Sequence, residues 1–343
     1  MTTKTTVRPT VSIALCTHNG AEFLAQQLDS IAAQTWQPDE LIVSDDASTD
    51  ATLDIVRTFA HQAGFQVFIN QNNPGLRTVK NFEKAVSLCA NDYIFLCDQD
   101  DYWRPTKIEK MVDFMQQRPN LVVGFCNALL VNDKRQSLEQ QQLDMVRLRQ
   151  PQREQWNNGG AFDLLLEGNR LTGCTAVMTR AFVRQIMPFP DGIPTLIHDG
   201  WIALVAAATN QIGFTEEILM EYRQHDAQQI GSKFADNGPA TTLDKRFARG
   251  REEKIAPIAQ KKQFYEAINQ EIKKVLEHNT PNIQKIGRKI NHLNARIKLP
   301  AEKHKRVVPV LKELMAGNYK KYTDQDANFY GPFLTAFGDL FEP

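Results

Sequence analysis

The sequence predicts an α/β protein whose central sheet is mainly parallel. Three observations carry this. Short apolar segments rich in strand formers alternate with helical patterns through the first 127 residues. The connections between them are short, as expected where helices cross over between parallel strands. Polar clusters directly follow three of the strands, at the carboxyl ends where open α/β sheets bind ligands.

The elements follow in order. Strands are expected at "VSIALC" (11–16), "LIVS" (41–44), "FQVFIN" (65–70), "DYIFLC" (92–97) and "LVVGFC" (121–126), with helices over about 21–34, 49–62, 77–89 and 105–117 between them. Ser48 or Thr49 can cap the second helix, and Pro105 suits the first turn of the fourth. From about 128 to 160 the chain is Gln-rich and irregular, which predicts a mobile, solvated excursion. A short helix (161–167), a strand near 174–178, a helix at about 198–208 and an extended run at 217–222 come next. Residues 232–245 look like a linker, and long helical patterns then run to about 318. The last stretch, "DANFYGPFLTAFGDLFEP", is aromatic and is expected to dock or to touch a membrane. The expected division is a catalytic domain over 1–235 and a basic, mainly helical region over 236–343.

Composition sets limits. The 343 residues balance 40 Lys+Arg against 40 Asp+Glu, but unevenly. Residues 241–343 hold 20 basic and 12 acidic side chains, a net of +8, and the other 240 hold 20 and 28, a net of −8. An acidic body with a basic tail region points to two functional parts. No apolar run approaches the ~18–20 residues of a bilayer span, and the longest, "WIALVAAA" from Trp201, is far shorter. The start, "MTTKTTVRPT", has no apolar core, so no secretory leader is expected. The five scattered cysteines fit small buried core residues in a reducing compartment, and no Cys pair or Cys/His cluster has zinc spacing. GxGxxG and GxxxxGK[ST] are both absent, which removes dehydrogenase and P-loop readings.

The chemistry concentrates in acidic strand ends. "CDQDDYW" places Asp98, Asp100 and Asp101 straight after an apolar strand, where burial and mutual repulsion both disfavour carboxylates. In extended backbone Asp98 and Asp100 point the same way, roughly 6–7 Å apart at Cα, and hard oxygen ligands of this kind suit Mg²⁺ or Mn²⁺. The competing reading is a surface acidic turn ahead of the helix near Pro105. A calcium EF-hand fails because Trp103 stands where that loop needs Gly. "VSDDASTD" ends a second strand in Asp45 and Asp46. These are either helix-capping acids or, for one of them, an acceptor for a nucleobase imide in a pocket also lined by Thr17.

Taken together, "SIALCTHNGAEFLAQQLDSIAAQTWQPDELIVSDDASTDAT", "NNPGLRTVKNFEKAV" and "DYIFLCDQDDYW" resemble the family 2 glycosyltransferases over roughly residues 10–235. The resemblance implies the nucleotide-sugar-binding GT-A fold. It also implies that Thr17, Asp45 and Asp46 grip base and ribose, and that Asp98 and Asp100 hold a metal on the diphosphate. "NRLTGCTAVMTRAF", "HDGWIALVAA" and "YRQHDAQQIG" resemble its rhamnosyltransferase-like branch, which builds bacterial surface polysaccharides. Asp199 then stands at the catalytic base, whose work is to deprotonate an acceptor hydroxyl as it attacks the anomeric carbon. Arg223 and His225 would stabilise the departing diphosphate, with Arg77 and Lys80 as weaker phosphate candidates. Gly173 is expected beneath the acceptor, and Trp103 and Trp201 either stack on a sugar or fill the core. The chain departs from the family pattern at Ala47, where Gly is usual. The QxxRW element and transmembrane helices of processive synthases are not seen, which favours transfer of single sugars.

The expected protein is an inverting, metal-dependent glycosyltransferase. Its donor would be dTDP-rhamnose or a UDP-sugar, and its acceptor a glycan or lipid-linked glycan. Nucleic acid is not an expected partner, and a homo-oligomer is compatible with the sequence. The basic helices, such as "IQKIGRKINHLNARIKL" (283–299), are either a solvated face or a contact for anionic lipid. The expected location is cytoplasmic, at the inner face of the cell membrane. The alternatives are a sugar nucleotidyltransferase, whose basic phosphate loop "CTHNGAEFL" lacks, and a sugar-nucleotide sensor or scaffold, which would not need the metal and base positions.

Overall fold

A computed structural model describes residues 8–225, 250–276, 280–322 and 330–342. The chain divides into two compact units, residues 1–191 with 195–234, and residues 235–343 with 192–194. The expected boundary near 235 and the linker at 232–245 lie outside the described residues.

In the first unit the strands are β1 (Val11–Thr17), β2 (Glu40–Asp45), β3 (Gln66–Gln71), β4 (Tyr93–Cys97), β5 (Tyr102–Trp103), β6 (Val123–Val131), β7 (Ser137–Gln141), β8 (Ala176–Thr179) and β9 (Ile212–Arg223). They form one sheet in the order β3-β2-β1-β4-β8-β6-β9-β5, with β7 on β6. β3, β2, β1 and β4 run parallel to one another. They are joined by α1 (Leu24–Ala32), α2 (Thr52–Ala60) and α3 (Arg77–Leu88), each with an apolar face on the sheet. Beyond β4 the sheet becomes mixed: β8 is antiparallel to β4 and β6, and β9 returns parallel to β6. The parallel character is thus a property of the N-terminal half, where crossover helices enforce it.

α4 (Lys107–Gln116) covers β6 and β9 with Ile108, Met111, Val112 and Met115. Val11, Ile13, Leu15, Leu41, Val43, Phe95 and Cys97 form the sheet's contribution to the main core. All five cysteines are free and buried.

Two expectations need correction. α2 begins at Thr52, and Ser48 and Thr49 do not cap it. The N-cap is Ala51, without a side-chain cap; Asp50 before it accepts the Thr52 N–H at 3.0 Å, while Ser48 bonds Asp45 and Thr49 bonds Asn19. The Gln-rich excursion is ordered rather than solvated throughout. It carries the end of β6, then β7, α5 (Gln142–Met145) and α6 (Gln150–Gln155), and a wide turn over Trp156–Gly160 leads into α7 (Ala161–Glu167). Leu143, Val146, Leu148 and Trp156 hold it down, each at most 4 % exposed. Their burial, with that of Gln142, offsets the ordering of a segment in which Gln136, Gln140, Gln141 and Gln150 are exposed. α8 (Arg180–Ile186) and α9 (His198–Ala208) complete this unit. Every residue of α9 is buried, so "HDGWIALVAAA" is a core helix with its N-terminus at the site described below.

The second unit contains α10 (Arg251–Val275), α11 (Pro281–Ile297), α12 (Val307–Met315), α13 (Asn318–Tyr322) and α14 (Gly331–Phe341). α10 packs along α11, and Leu299, Val310, Tyr319 and Ala336 form a small separate core. The aromatic C-terminal stretch docks there through α14. Its buried Asp339 accepts from Arg296 at 2.7 Å and from Tyr319 at 2.8 Å.

Candidate active site

β1 is flanked by β2 on one side and β4 on the other, so the strand order reverses there. Crevices at such reversals, outside the carboxyl ends of the strands, are the ligand sites of open α/β sheets. A cavity of about 340 Å³ lies there, lined at the ends of β1 and β4 by Thr17, His18, Asp98, Gln99 and Asp100. Asn169, Gly173, His198, Asp199 and His225 close its other side, and Met145 of the Gln-rich excursion also borders it.

Gln99 builds the junction. Its Oε1 accepts the His18 N–H at 2.8 Å and its Nε2 donates to the His18 carbonyl at 3.1 Å. The amide thereby pins the β1 end to the β4 end. A Cβ on Gly20 would meet Gln99 Oε1 at 2.1 Å, so a larger residue there would push the Gln99 amide off His18.

The aspartates then separate by role. Asp100 Oδ2 lies 2.8 Å from His225 Nε2, and this hydrogen bond raises the imidazole pKa. Asp101 is fully buried; its Oδ1 accepts the Arg223 N–H at 3.2 Å and its Oδ2 has no hydrogen-bond partner. Burial pushes its pKa well above the usual range, with Asp100 and Asp98 adding to the effect, and its bond from the Arg223 N–H ties the turn to β9. Burial first, and then Asp100 and Asp199, also push Asp98 upward. Asp199, the second residue of α9, accepts from Asn169 Nδ2 at 2.9 Å and from the Gly200 N–H at 2.6 Å. Burial outweighs these bonds and raises its pKa to about 7.

Three cations approach this group. Lys107 enters from within the core, fully buried, with Nζ donating to the Cys174 carbonyl at 2.6 Å and lying 3.7 Å from the Trp103 ring centroid. Arg223 stands behind the turn, its Nε donating to the Asp100 carbonyl at 2.7 Å, and His225 sits at the rim. With these basic side chains in place Asp98 and Asp199 are still raised, chiefly by burial, and a bound cation would offset that cost. The donor set fits a hard divalent cation. Asp98, Asp101 and Cys174 offer atoms within 4.8 Å of one another. The Cys174 thiol is raised well above its usual range by burial and so stays protonated, which leaves carboxylate oxygens, the donors that Mg²⁺ and Mn²⁺ prefer.

The expected residues fall into two sets. Thr17, Asp46, Asp98, Asp100, Gly173, Asp199 and His225 meet at the cavity. The Asp46 carboxylate, however, already accepts the N–H groups of Leu76 and Arg77 at the start of α3, at 2.5 and 2.9 Å. Asp45 lies beneath the rim, where its carboxylate accepts from Thr17 Oγ1 at 2.9 Å and Ser48 Oγ at 2.5 Å. Lys80 pairs with Glu83 at 2.9 Å and reaches the Phe189 carbonyl, and Arg77 is exposed outside the cavity. Arg223 is 1 % exposed, with its guanidinium directed at protein oxygens of Asp100, Asp133 and Gln26, so it braces the site instead of lining it. Trp201 and Trp103 are core residues, and Trp201 Nε1 donates to the Ile186 carbonyl at 3.0 Å. An acceptor contact for Trp201 is therefore withdrawn.

The sequence reading missed Gln99, Asn169, Lys107 and His198. Lys107 had a signal, since it stands four residues before Met111 on the apolar face of α4. His198 is stacked on Phe82 with ring centroids 4.0 Å apart, and burial lowers its pKa to about 3. A Cβ on Gly173 would stand 3.0 Å from His198 Nε2, so the glycine leaves that nitrogen uncovered. Gln99 and Asn169 carry no sequence signal, because their partners are 81 and 30 residues away.

Comparison with known proteins decides the family. The profile of Glycosyl transferase family 2 matches residues 12–186, half of the chain. The chain belongs to glycosyl transferase family 2. An uncharacterized protein of Mycobacterium tuberculosis is 29 % identical over 222 residues, 63 % of this chain and 59 % of that protein. An uncharacterized glycosyltransferase of Rickettsia typhi is 26 % identical over 225 residues, 65 % of this chain and 66 % of that protein. A Bacillus subtilis protein provisionally named a teichuronic acid biosynthesis glycosyltransferase, TuaG, is 30 % identical over 112 residues, 32 % of this chain and 44 % of that protein. The match to the mycobacterial relative thus spans about three-fifths of that protein's length. Among solved structures, residues 1–349 of S. aureus TarS in complex with UDP-GlcNAc align with a TM-score of 0.56. That alignment has 14 % identity over 91 % of this chain and 82 % of that one, a likeness of fold.

Proposed function

We propose that the cavity transfers a sugar from a nucleotide-diphosphate donor to a glycan hydroxyl with inversion. One observation carries this reading: Asp199, a buried carboxylate with a pKa near 7, shares a single cavity with the Asp98–Asp100 pair at the strand-order reversal. A base for an acceptor hydroxyl works best when its pKa lies near the operating pH. His198 cannot compete for the proton, since its imidazole stays neutral down to about pH 3.

Asp98 and Asp100 would hold Mg²⁺ or Mn²⁺, which when bound screens the diphosphate charge and makes it a better leaving group. Asn169 and the Gly200 N–H both donate to Asp199 Oδ1 and together orient the carboxylate. Thr17 and the Asp46 rim lie where the nucleoside would enter, and His225 stands beside Asp100 to meet the departing diphosphate. The donor read from the sequence is dTDP-rhamnose or a UDP-sugar, and the acceptor a surface glycan or its lipid-linked precursor. The name of the TuaG relative supports a cell-surface polysaccharide role.

Asp199→Asn tests the assignment. The variant should keep the thermal stabilisation given by the donor and lose about 10²–10⁴ of turnover, read as nucleoside diphosphate released with a cell-wall glycan fraction as acceptor. Near-normal turnover would remove Asp199 as base. A wild-type chain that no sugar nucleotide stabilises would remove the reading itself.

A further inference from the structure

The second unit presents an apolar stripe to solvent on α12. Val308 is 75 % exposed, Met315 89 %, Leu311 48 % and Val307 44 %. At the helical repeat of about 100° per residue, these four side chains fall within a ~100° arc, so they form one face. The opposite side is anchored: Val310 is fully buried in the cluster with Leu299, Tyr319 and Ala336. Arg306 pins the helix start from a buried position, donating to the carbonyls of Pro300 at 2.7 Å and Ala301 at 2.8 Å. The outward face is therefore held in place by the fold and is not a frayed end.

Basic side chains outnumber acids around the stripe. Lys303 and Lys305 precede the helix, Lys312 borders the stripe, and Lys320 and Lys321 follow on α13; all five are exposed. The acids of residues 302–322 are already engaged, Glu302 with Lys305 at 2.8 Å and Glu313 with His292 at 2.6 Å. A second copy of this chain is a poor occupant. Four side chains on a nine-residue helix expose on the order of a few hundred Å², below the roughly 800 Å² per partner of a stable interface. Two such faces would also bring their lysines together.

We infer that this face of α12 seats the protein on an anionic lipid bilayer, with Val308, Leu311 and Met315 entering the headgroup boundary and the surrounding lysines meeting lipid phosphates. Apolar insertion and electrostatic attraction act jointly in such contacts, and each is too weak alone. The inference stands on the second unit alone and does not require the sugar-transfer reading.

Flotation of the full chain with vesicles tests it. The protein should float with phosphatidylcholine vesicles containing roughly one-third phosphatidylglycerol, stay behind with phosphatidylcholine alone, and release in high salt. The double variant Val308→Asp, Met315→Asp should lower the bound fraction about tenfold at unchanged thermal midpoint, because both side chains already lie in solvent. Reversing Lys303, Lys305 and Lys312 to Glu should do the same with the apolar stripe intact. The inference is overturned if the wild-type chain never floats, if it floats equally with neutral vesicles, or if the double variant still binds. It is also overturned if both variants abolish a dimer seen by sedimentation in the absence of lipid.

Discussion

At the scale of single residues, the site turns on how burial treats carboxylates of similar chemistry. Asp199 and Asp98 are raised by desolvation near other acids, whereas Asp50, held by the Thr52 and Ala21 N–H groups and the Thr52 hydroxyl, is lowered. With Asp199 as the proposed base, its value sets a pH dependence. A base acts in its ionised form, so kcat/KM should climb as pH rises through about 7 and level off above it. A profile of initial rates from pH 5 to 9 checks this, and a flat profile below 7 would assign the proton to another group. Asn169 acts on the same carboxylate through one hydrogen bond. Asn169→Ala should therefore lower kcat about tenfold and displace the ascending limb upward, leaving donor affinity unchanged. These residues differed in how readable they were. "DQDD" and "HDGW" announced acids at strand and helix ends by position alone. The cation beneath them did not show itself, because a lysine at a helix start normally reads as solvated, and only its place on the apolar stripe of α4 sets Lys107 apart.

At the scale of elements, the turn after β2 carries a strained residue. Ala47 has φ 61, a left-handed conformation that costs an L-residue about 1–2 kcal/mol and costs glycine nothing sterically. This gives a physical reason for the glycine that the family pattern usually has there. Ala47→Gly should raise stability by up to ~1 kcal/mol, less the extra freedom glycine gains when unfolded, as read from denaturant midpoints. Leu148 makes the opposite case. Leu148→Ala should cost about 2–5 kcal/mol if the Gln-rich segment is the packed element seen here, and almost nothing if it were a solvated loop. Most strands and helices of the N-terminal half were legible because short continuous apolar runs, buried on both faces as in parallel sheets, alternate there with a helical period. The segment from 128 to 160 was not, because Leu143, Val146, Leu148 and Trp156 follow neither period. They pack one at a time into a surface made by distant strands. β5 is two residues long and is defined only by its pairing with β9.

At the scale of the whole molecule, the first unit carries an electrostatic debt that a bound cation would relieve. Asp98, Asp101 and Asp199 are raised above their unfolded values, so the fold favours their neutral forms. Their contribution to stability is complete below the unfolded carboxylate range near pH ~4 and is lost as pH rises through the folded values. The metal-free protein should therefore melt at a lower temperature at pH 8 than at pH 5. Mn²⁺ should recover more of that loss at pH 8, where the carboxylates are ionised and free to bind it. An equal effect of Mn²⁺ at both values would count against carboxylate ligands. No helix among the described residues is long and apolar enough to cross a membrane.

The central claim is that one cavity takes a divalent cation and a sugar nucleotide together, through Asp98 and Asp100. A thermal-shift panel of dTDP-, UDP- and GDP-sugars with Mg²⁺ or Mn²⁺ tests it most directly, on the wild-type chain and on Asp98→Asn. At least one sugar nucleotide should stabilise the wild-type protein only when the ion is present. The gain should approach about 3 kcal/mol once the ligand reaches roughly a hundred times its Kd, and Asp98→Asn should abolish it. A wild-type chain that no sugar nucleotide stabilises with either ion, or an Asp98→Asn variant that keeps the full shift, would contradict the account.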